Sequence, residues 1–501
     1  MPGRDHKNSL TFDVDACSYT SVGRSSITST PVSLASVERT WNFRINYPPE
    51  ERGRRKPATI GTVIVLLFLV VMITVAVIVA TGKGGDRGKQ VPAEAGKRQC
   101  PCSQGCSLSY VENIPDDVAF PQNSSQLRET YDSWLEVLRS ARRTVDIVSS
   151  SWGLLAGSDT VQNDTGISQG HQLLQELISA GTTRNIRIRI LYDVRAASTP
   201  ELRALEARGA AMVREVTPDS LLRKQSRVHG NLIVVDDRTF YLGSTAFSWR
   251  SLSQGKNFGV VVSNCTCLAR DAAQLFSNLW ELAASGMHAP SSSFNPARPI
   301  HLCLNHQHNV TASVTVSPSV LDQGGNSSTL GAVLNVINDA REYLDISVRD
   351  YLPSSRAGDL SYWPVLHEAL SRATLSRAIQ VRLLVSTRKN TPPAMFGYLR
   401  ALSNLDGVGV GHIQVRLFNM TGYAGKTPRG SNNSRYVYSE DSIFIGTSDW
   451  TKDDFEDNLS FGLLLNQTAS GFHGNAKDDN IHLQLKAVFE RDWNSDNAYQ
   501  L

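Results

Sequence analysis

The residues best placed to do chemistry together are His229, Asn231 and Asp236, spaced as H-x-N-x4-D and followed by Gly243 and Ser244. An imidazole can act as a nucleophile or carry a proton near neutral pH, and a carboxylate and a hydroxyl beside it can orient it and stabilise charge. Roughly two hundred residues later a second set keeps the order and changes the members: Asn433, Arg435, Glu440, then Gly446, Thr447, Ser448 and Asp449. Asn433 stands where the first set has its histidine, and an amide cannot shuttle a proton. Each set sits at the mouth of a hairpin, where a pocket could form between the two.

The elements that must position these groups form an internal repeat. Leu232 to Val235 and Phe240 to Leu242 alternate as a hairpin around a polar turn, as do Tyr436 to Tyr438 and Ile443 to Ile445. Upstream, Leu127 to Ala141 and Leu330 to Ala340 carry apolar residues at helical spacing. Each is followed by a strand, Thr144 to Val148 and Tyr343 to Val348. A helix and strand follow in both halves, through Leu173 and Ile186 to Leu191, and through Val365 and Ile379 to Leu384. Further helices surround Leu202 and Phe396. Each half closes on an apolar strand and a last helix, carrying Phe276 and Trp280 or Phe489 and Trp493. Alternating strands and helices predict an α/β fold, two pseudo-symmetric sandwich halves with buried mixed sheets. The expected boundaries are 108–289 and 301–501, with a Pro- and Ser-rich linker over 290–300.

This doubled order with its H-x-N-x4-D resembles the phospholipase D superfamily, whose signature is H-x-K-x4-D followed by Gly-Ser and an Asn. Val111 to Pro115, Trp249 to Leu252, Asn264 to Ala269 and Phe489 to Trp493 resemble its type II transmembrane branch, phospholipase D members three to five. That branch includes endolysosomal single-strand exonucleases and one member regarded as inactive. The resemblance implies that one histidine attacks phosphorus, that the other serves as acid and then base, and that the carboxylates Asp236 and Glu440 orient imidazoles. It also implies that lysines, hydroxyls (Ser244, Ser448) and asparagines bind the phosphate oxygens. It implies no metal and no cofactor.

Against that pattern the sequence departs at several positions. Asn231 and Arg435 replace lysines, Asn433 replaces a histidine, and Ala246 and Asp449 replace asparagines. Lost acid–base help is worth about 10²–10⁴-fold and a lost electrostatic donor about 10²-fold. The expectation is therefore a catalytically inactive homologue that acts by binding. The alternative is a weak phosphodiesterase, a single-strand exonuclease or phospholipid hydrolase, with His229 as nucleophile. A third reading is an adhesive ectodomain with a closed pocket. Expected partners are the membrane, a phosphate-containing ligand (lipid or single-stranded nucleic acid) and a second copy of the chain in a homodimer.

Ile60 to Thr81 carries no charged residue. As a helix it would rise about 33 Å, enough for a bilayer core of about 30 Å. Arg52, Arg54, Arg55 and Lys56 precede it, so the positive-inside rule predicts a type II orientation with residues 1–59 as a disordered cytosolic tail. The body would then face the lumen of the endoplasmic reticulum, Golgi or endolysosome, or the outside, on a Cys-containing stalk over 82–107. Sequons at Asn123, Asn163, Asn264, Asn309, Asn326, Asn419, Asn432, Asn458 and Asn466 all follow the span. Used, the one at Asn432 would place a glycan at the pocket rim. Cys100, Cys102, Cys106, Cys265, Cys267 and Cys303 are an even set for an oxidising compartment, with connectivity open among fifteen pairings. The C-x-C pairs leave zinc as the competing reading. The formal net charge of +3 is too small for the gross basic balance of a nucleic-acid binder, although it leaves room for a local basic groove.

Overall fold

The computed structural model describes residues 105–115, 118, 120–121, 124–156, 164–193, 199–216, 226–285, 299–305, 308–322, 327–356, 361–420, 430–467 and 480–501. The expected tail, the span over 60–81, nearly all of the stalk with Cys100 and Cys102, and the linker apart from its last two residues lie outside these residues, as do Asn123, Asn163 and Asn326. Among the described residues no helix is long and apolar enough to cross a membrane. Residues Ala95–Leu501 form one compact unit.

The first half runs β1 (Ser107–Asn113), α1 (Thr130–Ser140), β2 (Thr144–Ser149), α2 (Thr165–Thr182), β3 (Arg187–Asp193), α3 (Pro200–Ala207), β4 (Met212–Val216), β5 (Asn231–Val235), β6 (Thr239–Gly243), β7 (Asn257–Ser263) and α4 (Thr266–Ser285). The second runs β8 (Ile300–Leu304), β9 (His308–Ser317), α5 (Thr329–Asp339), β10 (Tyr343–Val348), α6 (Val365–Ser376), β11 (Gln380–Ser386), α7 (Pro393–Ser403), β12 (His412–Phe418), β13 (Tyr436–Tyr438), β14 (Ser442–Gly446), β15 (Ser460–Gln467), α8 (Ile481–Trp493) and β16 (Ala498–Gln500). The first sheet has eight strands, with the short strand Arg128–Glu129 at its edge, then β1-β7-β6-β5-β2-β3-β4. The second has nine, in the order β8-β9-β15-β14-β13-β10-β11-β12-β16. In each, three parallel strands joined by helices continue into antiparallel neighbours through the predicted hairpin. The elements expected from the sequence did not include β4 and β12, nor β1 and β9, which lie beside the strand that closes each half.

Strand alternation divides the core. Leu232, Val234, Phe240 and Leu242 join Tyr436, Tyr438, Ile443, Ile445, Phe461 and Leu463 in one cluster shared by the halves. Ile233, Val235 and Tyr241 point the other way, toward α1 and α2. A fully buried side chain of this size is worth about 1.5–3 kcal/mol, so the shared cluster ties the halves into one body. Matched buried ion pairs mark the repeat. Arg189 meets Asp146 at 2.7 Å and Arg382 meets Asp345 at 2.6 Å, and each guanidinium lies over a Phe–Trp pair, Phe276 and Trp280 or Phe489 and Trp493. Cys106 and Cys265 form a disulfide from the start of β1 to α4, and Cys267 and Cys303 are disulfide-bonded as well, which sets aside zinc for these four.

Candidate active site at the seam of the two halves

Each polar set reaches across to the other half. The His229 amide donates to Leu459 O at 2.7 Å, and by the same symmetry the Asn433 amide donates to Lys256 O at 2.7 Å. Gly230 makes this approach possible, since a Cβ there would come within 2.2 Å of the Phe461 ring. The seam therefore brings His229 and Asn433 to equivalent places.

His229 Nδ1 pairs with Asp454, a fully buried carboxylate that also accepts from Asn458 Nδ2 at 2.8 Å and Thr451 Oγ1 at 2.9 Å. Burial pushes the Asp454 carboxyl up, but His229 and Arg356 beside it outweigh that and hold it at about 2. An anchored Nδ1 leaves Nε2 as the reactive nitrogen, and the His229 side chain is 19% exposed. Asp454 is therefore the group that orients the imidazole. Asp236, expected in that role, caps the start of β2. Its carboxylate accepts from the amides of Arg142, Arg143 and Thr144 at 2.8 Å each, and its φ of 55° belongs to the hairpin turn. Glu440 does the same in the second half, accepting from the Arg341 and Glu342 amides. Both acids lie in the turn between the two hairpin strands, at the end of the hairpin away from its mouth, which is why neither reaches an imidazole.

Asn433 Nδ2 donates to Asn257 Oδ1 at 3.0 Å, and its Oδ1 accepts from Ser431 Oγ at 2.9 Å, so a neutral amide pair occupies the second position. Asn231 is neutral too. Its Oδ1 accepts from Ser149 Oγ, Ser150 N and Ser150 Oγ at 2.9–3.1 Å, and its Nδ2 donates to Gly243 O. Ser244 Oγ exchanges bonds with the Phe258 backbone, and Thr447 does so with Phe461, which makes Thr447, not Ser448, its equivalent. Ser448 bonds Ser460 Oγ at 2.6 Å.

The second set is ionic. Arg435 Nε donates to Asp449 Oδ1 at 2.6 Å, and Arg349 and Arg356 donate to Oδ2 of the same carboxylate. Burial raises the Asp449 pKa, but the three guanidiniums more than reverse this and hold it well below the usual carboxylate range. Asp449 therefore brings no free negative charge into the pocket. His229, Asp449 and Asp454 place potential ligand atoms within 4.8 Å of one another, yet a cation there would have to displace these arginines. Lys256 is fully buried, with Nζ 2.7 Å from Asp492 and 3.3 Å from Ser434 Oγ. Asp454, Asn257, Lys256, Arg349 and Arg356 were not picked out from the sequence, because no spacing rule links them to the motifs.

Two sequons fall inside the fold. Asn432 is 1% exposed and its Oδ1 accepts from the Ser434 amide, and Asn458 is 6% exposed and bonded to Asp454 and the Arg227 amide. Neither has room for a glycan, so no sugar stands at the rim by way of Asn432. Asn264 and Asn309 are exposed, and Asn419 and Asn466 half-buried.

The sequence pattern described as the PLD3/4, PLD-like domain matches residues 122–423. The chain is 33% identical to the 5'-3' exonuclease PLD3 of Xenopus laevis over 411 residues, 79% of this chain and 81% of that one. It is 32% identical to the Homo sapiens protein of the same name over 81% of this chain and 83% of that one. With the 5'-3' exonuclease PLD4 of Mus musculus it shares 33% identity over 80% of each. Among solved structures, phosphatidylserine synthase of Haemophilus influenzae superposes with a TM-score of 0.51 at 12% identity, covering 79% of this chain and 89% of that one, a likeness of fold alone. The expectation that the protein is not an enzyme is overturned by these relatives, which are named as exonucleases and match along four-fifths of the chain. The chain belongs to the phospholipase D superfamily, in the branch of PLD3 and PLD4.

Proposed function

We propose that the body is a phosphodiesterase acting on single-stranded nucleic acid through a single histidine, His229. The observation that carries this reading is the His229–Asp454 pair, which engages Nδ1 and leaves Nε2 as the other nitrogen of a side chain 19% exposed at the seam. The exonuclease names of the relatives support the substrate class. In the first step Nε2 forms a bond to phosphorus as the bond to the leaving oxygen breaks. That oxygen takes its electron pair and a proton from water, since Asn433 has no proton to give. The imidazolium character of the phosphohistidine is stabilised by Asp454. Water then cleaves the nitrogen–phosphorus bond, unaided by a second imidazole. Both steps lack a dedicated acid or base, so turnover is slow and the second step lets the intermediate accumulate.

We also propose a type II topology, with residues 60–81 as the span and the body lumenal or extracellular. The basic flank, the one-sided sequons and the Cys106–Cys265 disulfide support it. The test uses the full-length chain in detergent with single-stranded DNA labelled on its phosphates. Acid-labile label on His229, and loss of both label and hydrolysis in His229→Ala, are expected. Hydrolysis unchanged in His229→Ala would refute the mechanism.

A further inference from the structure

Four guanidiniums gather at the carboxyl ends of β10 and β11, the end of a parallel sheet where ligands bind in α/β folds. Arg388 holds Asp350 with both terminal nitrogens at 2.6 and 2.8 Å, and Arg356 bridges Asp350 and Asp449 at 2.6 and 2.7 Å. Arg349 reaches Asp449 and Arg435 closes the group. The layering decides its charge. Asp350, Asp449 and Asp454 are at most 1% exposed, whereas Arg349, Arg356 and Arg388 are 22–26% exposed. Carboxylates lie beneath and cations on top, so the face toward solvent is cationic. Asp453, half-buried, takes the Arg356 amide at 2.6 Å. Arg349 Nε lies 3.4 Å from Asp350 Oδ2, and Arg356 Nε is buried without a hydrogen-bond acceptor.

An aromatic stack leads away from this face. Tyr351 follows Asp350 directly and its hydroxyl meets His367 Nδ1 at 2.9 Å. The His367 ring lies 6.4 Å from Tyr362 and 6.3 Å from Tyr398. Tyr362 and Tyr398 are stacked at 6.2 Å and 9°, and Tyr362 is 54% exposed. An exposed tyrosine backed by a nearly parallel, half-buried one, connected to the guanidinium face through His367 and Tyr351, offers a single strand what its bases and phosphates require, one flat apolar surface and one cationic surface.

We propose that the second half carries a single-strand binding subsite in which a base stacks on Tyr362, backed by Tyr398, while a phosphate of the same strand rests on Arg349, Arg356 and Arg388. This rests on the phosphodiesterase reading and specifies how its substrate is held. Among the described residues the first half shows no such surface. Ser150 and Ser151 stand where Arg349 and Asp350 stand, and Trp152, opposite Tyr351, is buried against Phe247.

Binding is measured on the full-length chain in detergent, in a His229→Ala background so that no probe is consumed. The probes are a fluorescent oligothymidylate, the same backbone without bases, a duplex, and thymidine monophosphate. Tight binding of the oligothymidylate alone, falling about tenfold in Tyr362→Ala, recovering in Tyr362→Trp and weakening with salt, is expected. Tyr398→Ala, which removes the backing ring and leaves Tyr362 in place, is expected to weaken binding less. Equal binding of the abasic strand or of the duplex, or wild-type affinity in both alanine variants, would overturn the subsite, as would no binding of the oligothymidylate. Preference for the mononucleotide would overturn the strand. Failure of the subsite with phosphohistidine still formed on the wild-type chain leaves the catalytic reading standing. Base-dependent binding without phosphohistidine leaves the subsite standing and removes the mechanism.

Discussion

The two hairpin mouths share a backbone plan and differ in charge. In the first half Asn231 sits among Ser149 and Ser150, with Ala246 opposite, and no charged side chain takes part. At the matching positions of the second half, Arg435, Arg349 and Asp449 form a buried ionic lattice with Arg356. The reactive imidazole belongs to the neutral mouth, while the carboxylate that orients it, Asp454, comes from the ionic one. Neither half is a site alone. Each lends the other what its own sequence lacks.

Making the second mouth resemble the first should have the largest effect. Asn433→His with Asn257→Glu replaces the amide pair, 3.0 Å apart, by an imidazole and a carboxylate. Hydrolysis of single-stranded DNA should rise about 10²–10⁴-fold, read in single-turnover kinetics. No rise in a folded variant would mean that the seam fails to align the two positions. In the opposite direction, Asp454→Asn releases Nδ1 of His229, and phosphohistidine formation should fall by about 10²-fold or more. The same carboxylate links stability to pH. Its folded pKa of about 2 lies below the ordinary value of about 3.9, so its contribution is full above about pH 4 and lost as pH falls through about 2. Asp454→Asn should flatten that part of the acid denaturation curve.

The ionic lattice can be broken at its centre. Asp449→Asn leaves three guanidiniums sharing a weak acceptor, and urea unfolding should show a loss of about 3–5 kcal/mol, against little change for Ala246→Ser at the neutral counterpart. A small Asp449 effect would mean that water already satisfies the arginines. The turn caps should matter less. Asp236→Ala and Glu440→Ala each strip backbone amides of an acceptor and should cost about 1–2 kcal/mol with hydrolysis unaltered. A fall in hydrolysis would return these acids to the mechanism. The smallest effect is at Asp271 on α4, whose carboxyl burial raises to about 6. Its raised pKa means stability is lost as pH climbs from about 4 through 6, so Asp271→Asn should raise the melting temperature at pH 7 and not at pH 4.

Period-two and helical spacing made the repeat legible, including the hairpins, the parallel strands after Arg143 and Glu342, and the final helices. β4 is little buried and short, which leaves Met212–Val216 without a periodic signal, whereas His412–Phe418 alternates buried and exposed residues and was legible as a strand. The motif has His229 and Asn433 at matching places, each ahead of the first hairpin strand of its half. It misled at Asp236 and Glu440, which bind the amides leading into the neighbouring strand, and at Ser448, where Thr447 fills the role.

By itself the sequence determined which groups could react, that they came in two unequal sets, and the order of elements that carries each set. These follow from local spacing, which a chain expresses without reference to distant parts. Only the tertiary structure decided that Asp454, 225 positions beyond His229, holds its imidazole, and that Asp449 is neutralised by arginines rather than left to repel phosphate. Those outcomes depend on which side chains meet across a seam between halves. Contact across that seam is set by the packing of two sheets and by the desolvation that forces buried charges to find partners.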